Sequence, residues 1–115
     1  MGMGRKSREK GKRGERELVH ELQRFGFTET RRSQQYCGSA ESADLVGLPG
    51  VHIECKRMES FSPYKALEQA AGDSAGTSNL PAVMHRRNGQ PWIVVMTLND
   101  WAKLYRAYLD NSLAF

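Results

Sequence analysis

Residues 51–56 alternate apolar and polar. Val51, Ile53 and Cys55 fall on one side and His52, Glu54 and Lys56 on the other, the two-residue period of a half-buried strand. A shorter apolar run, A-D-L-V, precedes it across G-L-P-G. Upstream the period changes. Leu18, Val19, Leu22 and Phe25 recur at helical spacing from Gly14 onward, and Gly26 ends that helix. Residues 27–32 read as a short first strand. Ser62-Pro63 places an N-cap before a proline at the first helical position, and Leu67, Ala70 and Ala71 give the helix to about residue 71 a packing face. Residues 72–79, G-D-S-A-G-T-S-N, hold every turn-forming type and read as a connection. Residues 82–87 and 92–97 around Asn88-Gly89 read as a second hairpin, and the unbroken run Ile93, Val94, Val95, Met96 as a strand covered on both faces. Trp101, Leu104, Tyr105, Tyr108 and Leu109 stripe a last helix and read as core, although their size also suits a dimer contact. The order is α-β-β-β-α-β-β-α, an α/β fold with a mixed central sheet of about five strands flanked by helices.

Residues 43–56 carry the chemistry. On a strand Glu54 and Lys56 share a face. With a second carboxylate from Asp44 they outline an oxygen-lined cation site beside a positive charge, an arrangement suited to phosphodiester cleavage. Register tests that reading. A two-residue loop at Pro49-Gly50 sets Asp44 opposite Cys55, with its side chain turned away from Glu54. The site therefore requires one extra residue, in a bulge or an odd-length loop, and Gly47 and Gly50 each permit it.

Charge adds a partner. The 115 residues carry a net charge of +4, with a pI near 9.3, and 39% are hydrophobic, enough for one modest domain. Arg5, Lys6, Arg8, Lys10, Lys12 and Arg13, opposed by one Glu, give residues 1–13 a net +5 and leave residues 14–115 at −1. The chain thus divides into a flexible basic arm over residues 1–13 and a single domain over residues 14–115. Such an arm binds phosphates without reading sequence, or merely solubilises. No stretch reads as a membrane span or signal peptide, and Cys37 and Cys55 make neither a disulfide framework nor a metal cluster. A soluble, cytoplasmic protein with reduced cysteines is expected.

Other residues stand between two readings. Glu15 lies four residues before Val19 and seven before Leu22, on the core-facing side. It either complements the dipole of the first helical turn or points into the pocket of Asp44 and Glu54. Arg31, Arg32 and the polar loop of residues 33–42 either grip a phosphate or are ordinary surface. Gln69 leans over the acidic cluster or faces solvent.

G-K-R-G-E-R-E-L-V, the Arg-rich strand with its Gly-Ser loop, A-D-L-V and I-E-C-K, in that order, resemble the PD-(D/E)XK nuclease superfamily, and most closely its archaeal-type Holliday junction resolvases. The resemblance covers roughly residues 10–69; Ala43 stands where a proline often precedes the first acid. It implies a restriction-endonuclease-like core, with Glu15, Asp44 and Glu54 as the acidic metal site, the Cys55 carbonyl as a further ligand and Lys56 as the catalytic lysine. It also implies Mg²⁺, with Mn²⁺ able to substitute. Arg16, one of Arg31 and Arg32, Ser39 and Gln69 fall where similar resolvases contact DNA.

The function implied is metal-dependent endonucleolytic cleavage of four-way DNA junctions. Cutting two opposed strands requires two copies, hence a homodimer. Three other readings compete. Another nuclease of the superfamily, acting in restriction, repair or nicking, would lack junction selectivity. A non-catalytic nucleic-acid-binding module explains the arm but leaves the three acids without a role. In a purely structural account Glu54 and Lys56 form a surface ion pair.

Overall fold

The computed structural model describes the backbone of residues 2–34 and 43–113, and side chains within 11–34 and 43–111. Three helices and five strands follow in the expected order: α1 (Gly2–Arg24), β1 (Arg31–Arg32), β2 (Leu45–Val46), β3 (Val51–Arg57), α2 (Pro63–Ser74), β4 (Leu80–Arg86), β5 (Ile93–Val95) and α3 (Leu98–Leu113). The sheet runs β1-β2-β3-β4-β5. Its first three strands are antiparallel, β3 and β4 are parallel across the α2 crossover, and β5 returns antiparallel.

β3 is central, and its alternation sorts the two faces. Ile53 joins Leu18, Val19 and Leu45 in a buried cluster under α1, with Cys55 packed against it. On the other face Val83, the register neighbour of Glu54, joins Ala66 and Ala70 of α2. His52 and Glu54 are buried beneath that helix. The small alanines let α2 approach closely, so the polar side of β3 lies under a helix instead of facing water.

α1 starts twelve residues before the predicted Gly14, so residues 2–13, expected as a flexible arm, are helical. Lys, Arg and Glu favour helix, and the helical register set from Gly14 onward continues back through them. Gly14 has a packing role: a Cβ there would lie 2.5 Å from the Arg57 Cβ, so its absence lets α1 cross β3. The C-terminus behaves as expected. Gly26 has φ +100°, its N–H bonds Gln23 O at 2.9 Å, and the Phe27 N–H bonds Leu22 O at 3.2 Å, the paired closure of a Schellman cap. Phe25, predicted on the core stripe, is exposed.

Other expectations are corrected. The first strand keeps only Arg31–Arg32, because the Thr30 N–H and hydroxyl both bond Phe27 O and turn residues 27–30. Ser62 is the N-cap by position, but its side chain makes no capping bond, and Ala71 is exposed. α2 runs to Ser74, so Gly72 and Asp73 are helical instead of starting the loop. Asn88 and Gly89 do centre a turn, closed by Gln90 N–H to Arg87 O at 3.1 Å, but His85 pairs Ile93, which lengthens the loop. β5 has one neighbour and exposes Ile93 and Val94 rather than covering both faces. The α3 stripe is not core: every residue from Trp101 to Asn111 is exposed.

Candidate active site

The β2–β3 register settles which carboxylates meet. Leu45 pairs Ile53, so Asp44 lies opposite Glu54, on the same face. The odd connection that this register needs contains Gly47 at φ +100° and Gly50 at φ +91°. At Gly47 a Cβ would fall 2.1 Å from Glu29 O, so only glycine fits between this loop and the turn before β1. The Asp44 carboxylate accepts the Cys55 N–H at 2.8 Å, which fixes it across the strand pair. It also contacts the Glu54 carboxyl.

Glu54 is 5% exposed and shares a hydrogen bond with His52 Nε2 at 2.8 Å. Burial, followed by the Asp44 charge, raises its carboxyl to about 8; Lys56 opposes the shift without cancelling it. Burial also holds His52 below the ordinary imidazole range. Lys56 Nζ reaches Gln69 Oε1 of α2 at 3.4 Å, so the structure brings Gln69 over the lysine. Burial pushes the Cys55 thiol up to about 12, keeping it a neutral thiol on the α1 side.

Glu15 stands on α1, half-buried, bonded to Arg32 Nε at 2.9 Å. The first turn of α1 lies at Gly2, so complementing its dipole does not explain this acid. Burial raises its carboxyl above the ordinary range, the Arg32 bond works against that, and the Asp44 charge adds to it. Glu15 is therefore electrostatically within reach of Asp44. Arg32 is tied to Glu15, whereas Arg31 is exposed and donates to Glu29 O at 3.1 Å. Lys12, Arg13 and Arg16 are exposed on α1. Arg5, Lys6, Arg8 and Lys10 lie on the same helix, and Ser39 and Cys37 lie outside the described residues. Below the basic segment, Glu17 pairs with both Arg57 and Arg86, joining α1 to β3 and β4.

Two residues escaped the sequence reading. Asp73, assigned to a loop, sits in the last turn of α2, and its carboxylate, His52 and Glu54 lie within 4.8 Å of one another. The i, i+4 spacing from Gln69 was the available signal. His52 was placed on the Glu54 face, but only as a polar strand position.

The donor set fits a hard divalent cation. The half-buried Asp44 carboxylate and the buried Glu54 carboxyl converge with Lys56 beside them, and once both acids are ionised a cation restores the charge balance. A cavity of about 710 Å³ opens beside β1 and β2, lined by Arg31, Arg32 and His52 but not by Asp44, Glu54 or Lys56.

The raised carboxyl makes a pH prediction. Glu54 titrates near 4.5 when unfolded and near 8 when folded, so the metal-free native state binds the extra proton between those values. Its contribution to stability is complete at low pH and is lost as pH rises through 8. His52, lowered by burial from its ordinary 6.5, makes a smaller contribution of opposite sign that fades as the unfolded imidazole loses its proton above pH 6.5, so the net decline up to pH 8 reports Glu54. Metal-free protein is expected to melt at lower temperature at pH 8 than at pH 6.5. Mg²⁺ should raise the melting temperature more at pH 8, because it displaces a proton at lower pH. A melting temperature flat over that window would contradict the shift.

Over residues 6–114 the chain matches the model of a family described as "Phage putative PDDEXK endonuclease". No curated protein and no solved structure matched it.

Proposed function

Because the chain belongs to this phage PDDEXK endonuclease family, we propose that it is a Mg²⁺-dependent endodeoxyribonuclease that resolves four-way DNA junctions as a homodimer. The observation that carries the nuclease reading is the Leu45–Ile53 register, which sets Asp44 opposite Glu54 with Lys56 two residues on. Asp44 and Glu54 would hold the ion, with the Cys55 carbonyl completing its protein ligands and Glu15 acting from α1. The ion would acidify a water and neutralise charge growing on the phosphate; Mn²⁺ should substitute. Lys56 orients the nucleophile or stabilises the scissile phosphate's negative charge, and Gln69 steadies the lysine. Arg31 and Arg16, exposed on β1 and α1, contact the flanking backbone, with Arg32 bridging to Glu15. The basic segment from Arg5 to Arg13 adds phosphate contacts and makes binding salt-dependent. Ser39 is assigned to DNA by the resemblance alone. No helix among the described residues is long and apolar enough to cross a membrane, and we place the protein in the cytoplasm with its DNA.

The α3 stripe supports the homodimer. Trp101, Tyr105 and Tyr108 stack along the helix, each about half or more exposed, with Leu104 and Leu109 exposed on the same stripe. At half of the roughly 150–250 Å² that each aromatic can bury, these rings supply about 300 Å² per copy before the aliphatic side chains are counted. That is a large part of the about 800 Å² per partner in a standard interface. Leu104→Glu with Leu109→Glu is expected to convert a dimer to monomer in sedimentation without unfolding the sheet, because neither side chain is buried. A wild-type monomer at working concentration would count against junction resolution specifically.

Substrate choice is tested by comparing a labelled four-way junction with linear duplex of the same sequences in Mg²⁺. Paired symmetric nicks confined to the junction are the expected result. Equal cleavage of both would retain the endonuclease and reassign it to restriction, repair or nicking.

A further inference from the structure

His52 and Asp73 have no part in the cleavage chemistry above, yet they complete a ligand set around Glu54. We infer that His52 Nε2, a Glu54 carboxylate oxygen and an Asp73 carboxylate oxygen form a second cation position, selective for a first-row transition ion over Mg²⁺, with Glu54 shared between it and Asp44.

Geometry carries the inference. The three ligand atoms lie within 4.8 Å of one another, and His52 and Glu54 are 3% and 5% exposed. His52 Nε2 stands 2.8 Å from Glu54 Oε1. Adjacent ligands at right angles on an octahedral ion with bonds of about 2.1 Å are separated by about 3.0 Å, so His52 Nε2 and Glu54 Oε1 already stand at that spacing, and the Asp73 carboxylate closes on the ion from within 4.8 Å once the shared proton leaves. The side chains also have fixed origins. His52 and Glu54 project from one face of β3, and Asp73 descends from the last turn of α2, where Ala66 and Ala70 bring the helix against the sheet.

The position of Asp73 is locally unfavourable without a cation. An acid in the last helical turn meets the negative end of the helix dipole, and α2 has no basic residue there. It also lies against a buried carboxyl. A bound cation reverses both effects. The imidazole determines selectivity: Mg²⁺ favours oxygen donors and retained water, whereas a mixed nitrogen and oxygen set favours Mn²⁺ and later ions. The site deepens the nuclease reading, and its catalytic meaning rests on that reading; ion binding itself does not.

The test uses the full chain with Mn²⁺ as probe. Electron spin-echo spectroscopy of bound Mn²⁺ is expected to show imidazole-nitrogen coupling that persists in excess Mg²⁺. The coupling should survive in H20Q and vanish in H52Q. Should H52Q fail to fold, D73N is expected to weaken the nitrogen-coupled Mn²⁺ at least tenfold. Absence of coupling in the wild type, or unchanged affinity in D73N, would overturn the site. Cleavage in Mg²⁺ without coupling would overturn this site and leave the nuclease intact; coupling without cleavage would do the reverse.

Discussion

Lys56→Ala is expected to lower kcat by about 10²–10³-fold, with little change in Mg²⁺ affinity or DNA binding. That range is typical of removing one preorganised group that meets charge developing in a transition state. The lysine is placed for such a role. It shares its strand face with Glu54, is half-buried, and among the described residues is held by a 3.4 Å contact to Gln69. Its ammonium is thus not committed to a tight ion pair, as a structural account of Glu54 and Lys56 would require. Single-turnover kinetics with saturating enzyme separate chemistry from binding. A variant that cleaves at the wild-type rate would remove Lys56 from the mechanism, and one that loses only affinity would make it a backbone contact.

Gly47→Ala is expected to destabilise the protein by more than about 3 kcal/mol, or to prevent folding. Two costs combine. A non-glycine residue at φ +100° is strained by about 1–3 kcal/mol, and the added methyl would meet Glu29 O at 2.1 Å, a backbone atom that no side-chain rotation can move aside. The consequence reaches the active site, because this loop sets the odd register of β2 on β3. Slipping that register by one residue would restore the alignment of Asp44 with Cys55 and turn the carboxylate from Glu54. Chemical denaturation measures the stability and cleavage reports the register. Gly50→Ala is the contrast, since nothing lies within 4 Å of its added methyl. Equal effects of the two variants would show that strain alone, not the contact with Glu29, matters at Gly47.

The site was legible to the extent that strand periodicity and turn chemistry determine it. Alternation placed Glu54 with Lys56, and the requirement that Asp44 join them forced an odd loop, which Gly47 and Gly50 supply. Gly26 and Pro63 marked helix ends because each has a local backbone reason to be there. Local rules failed where tertiary packing decided. Gly72 and Asp73 read as a loop by composition, but α2 continues through them against β3 and carries Asp73 to Glu54. Turn propensity at Asn88-Gly89 identified the turn but not the pairing of His85 with Ile93.

The α3 stripe was misassigned for a different reason. Helical periodicity shows that Trp101, Leu104, Tyr105, Tyr108 and Leu109 share a face, but not what covers it, and among the described residues no element does. Glu15 is the converse case. Extending α1 to Gly2 removed the dipole explanation and left an acid paired with Arg32 within the field of Asp44.

The central claim is that Asp44 and Glu54 form a metal-dependent phosphodiesterase site. Its most direct test incubates purified protein with labelled DNA, with and without Mg²⁺, alongside Asp44→Ala whose fold is verified by circular dichroism. The account predicts cleavage by the wild type only with the ion, none by the folded variant, and DNA binding by the variant at least as tight, since a charge that repels phosphate is gone. Undiminished cleavage by the variant, or tight binding by the wild type with no cleavage in Mg²⁺ or Mn²⁺, would contradict it.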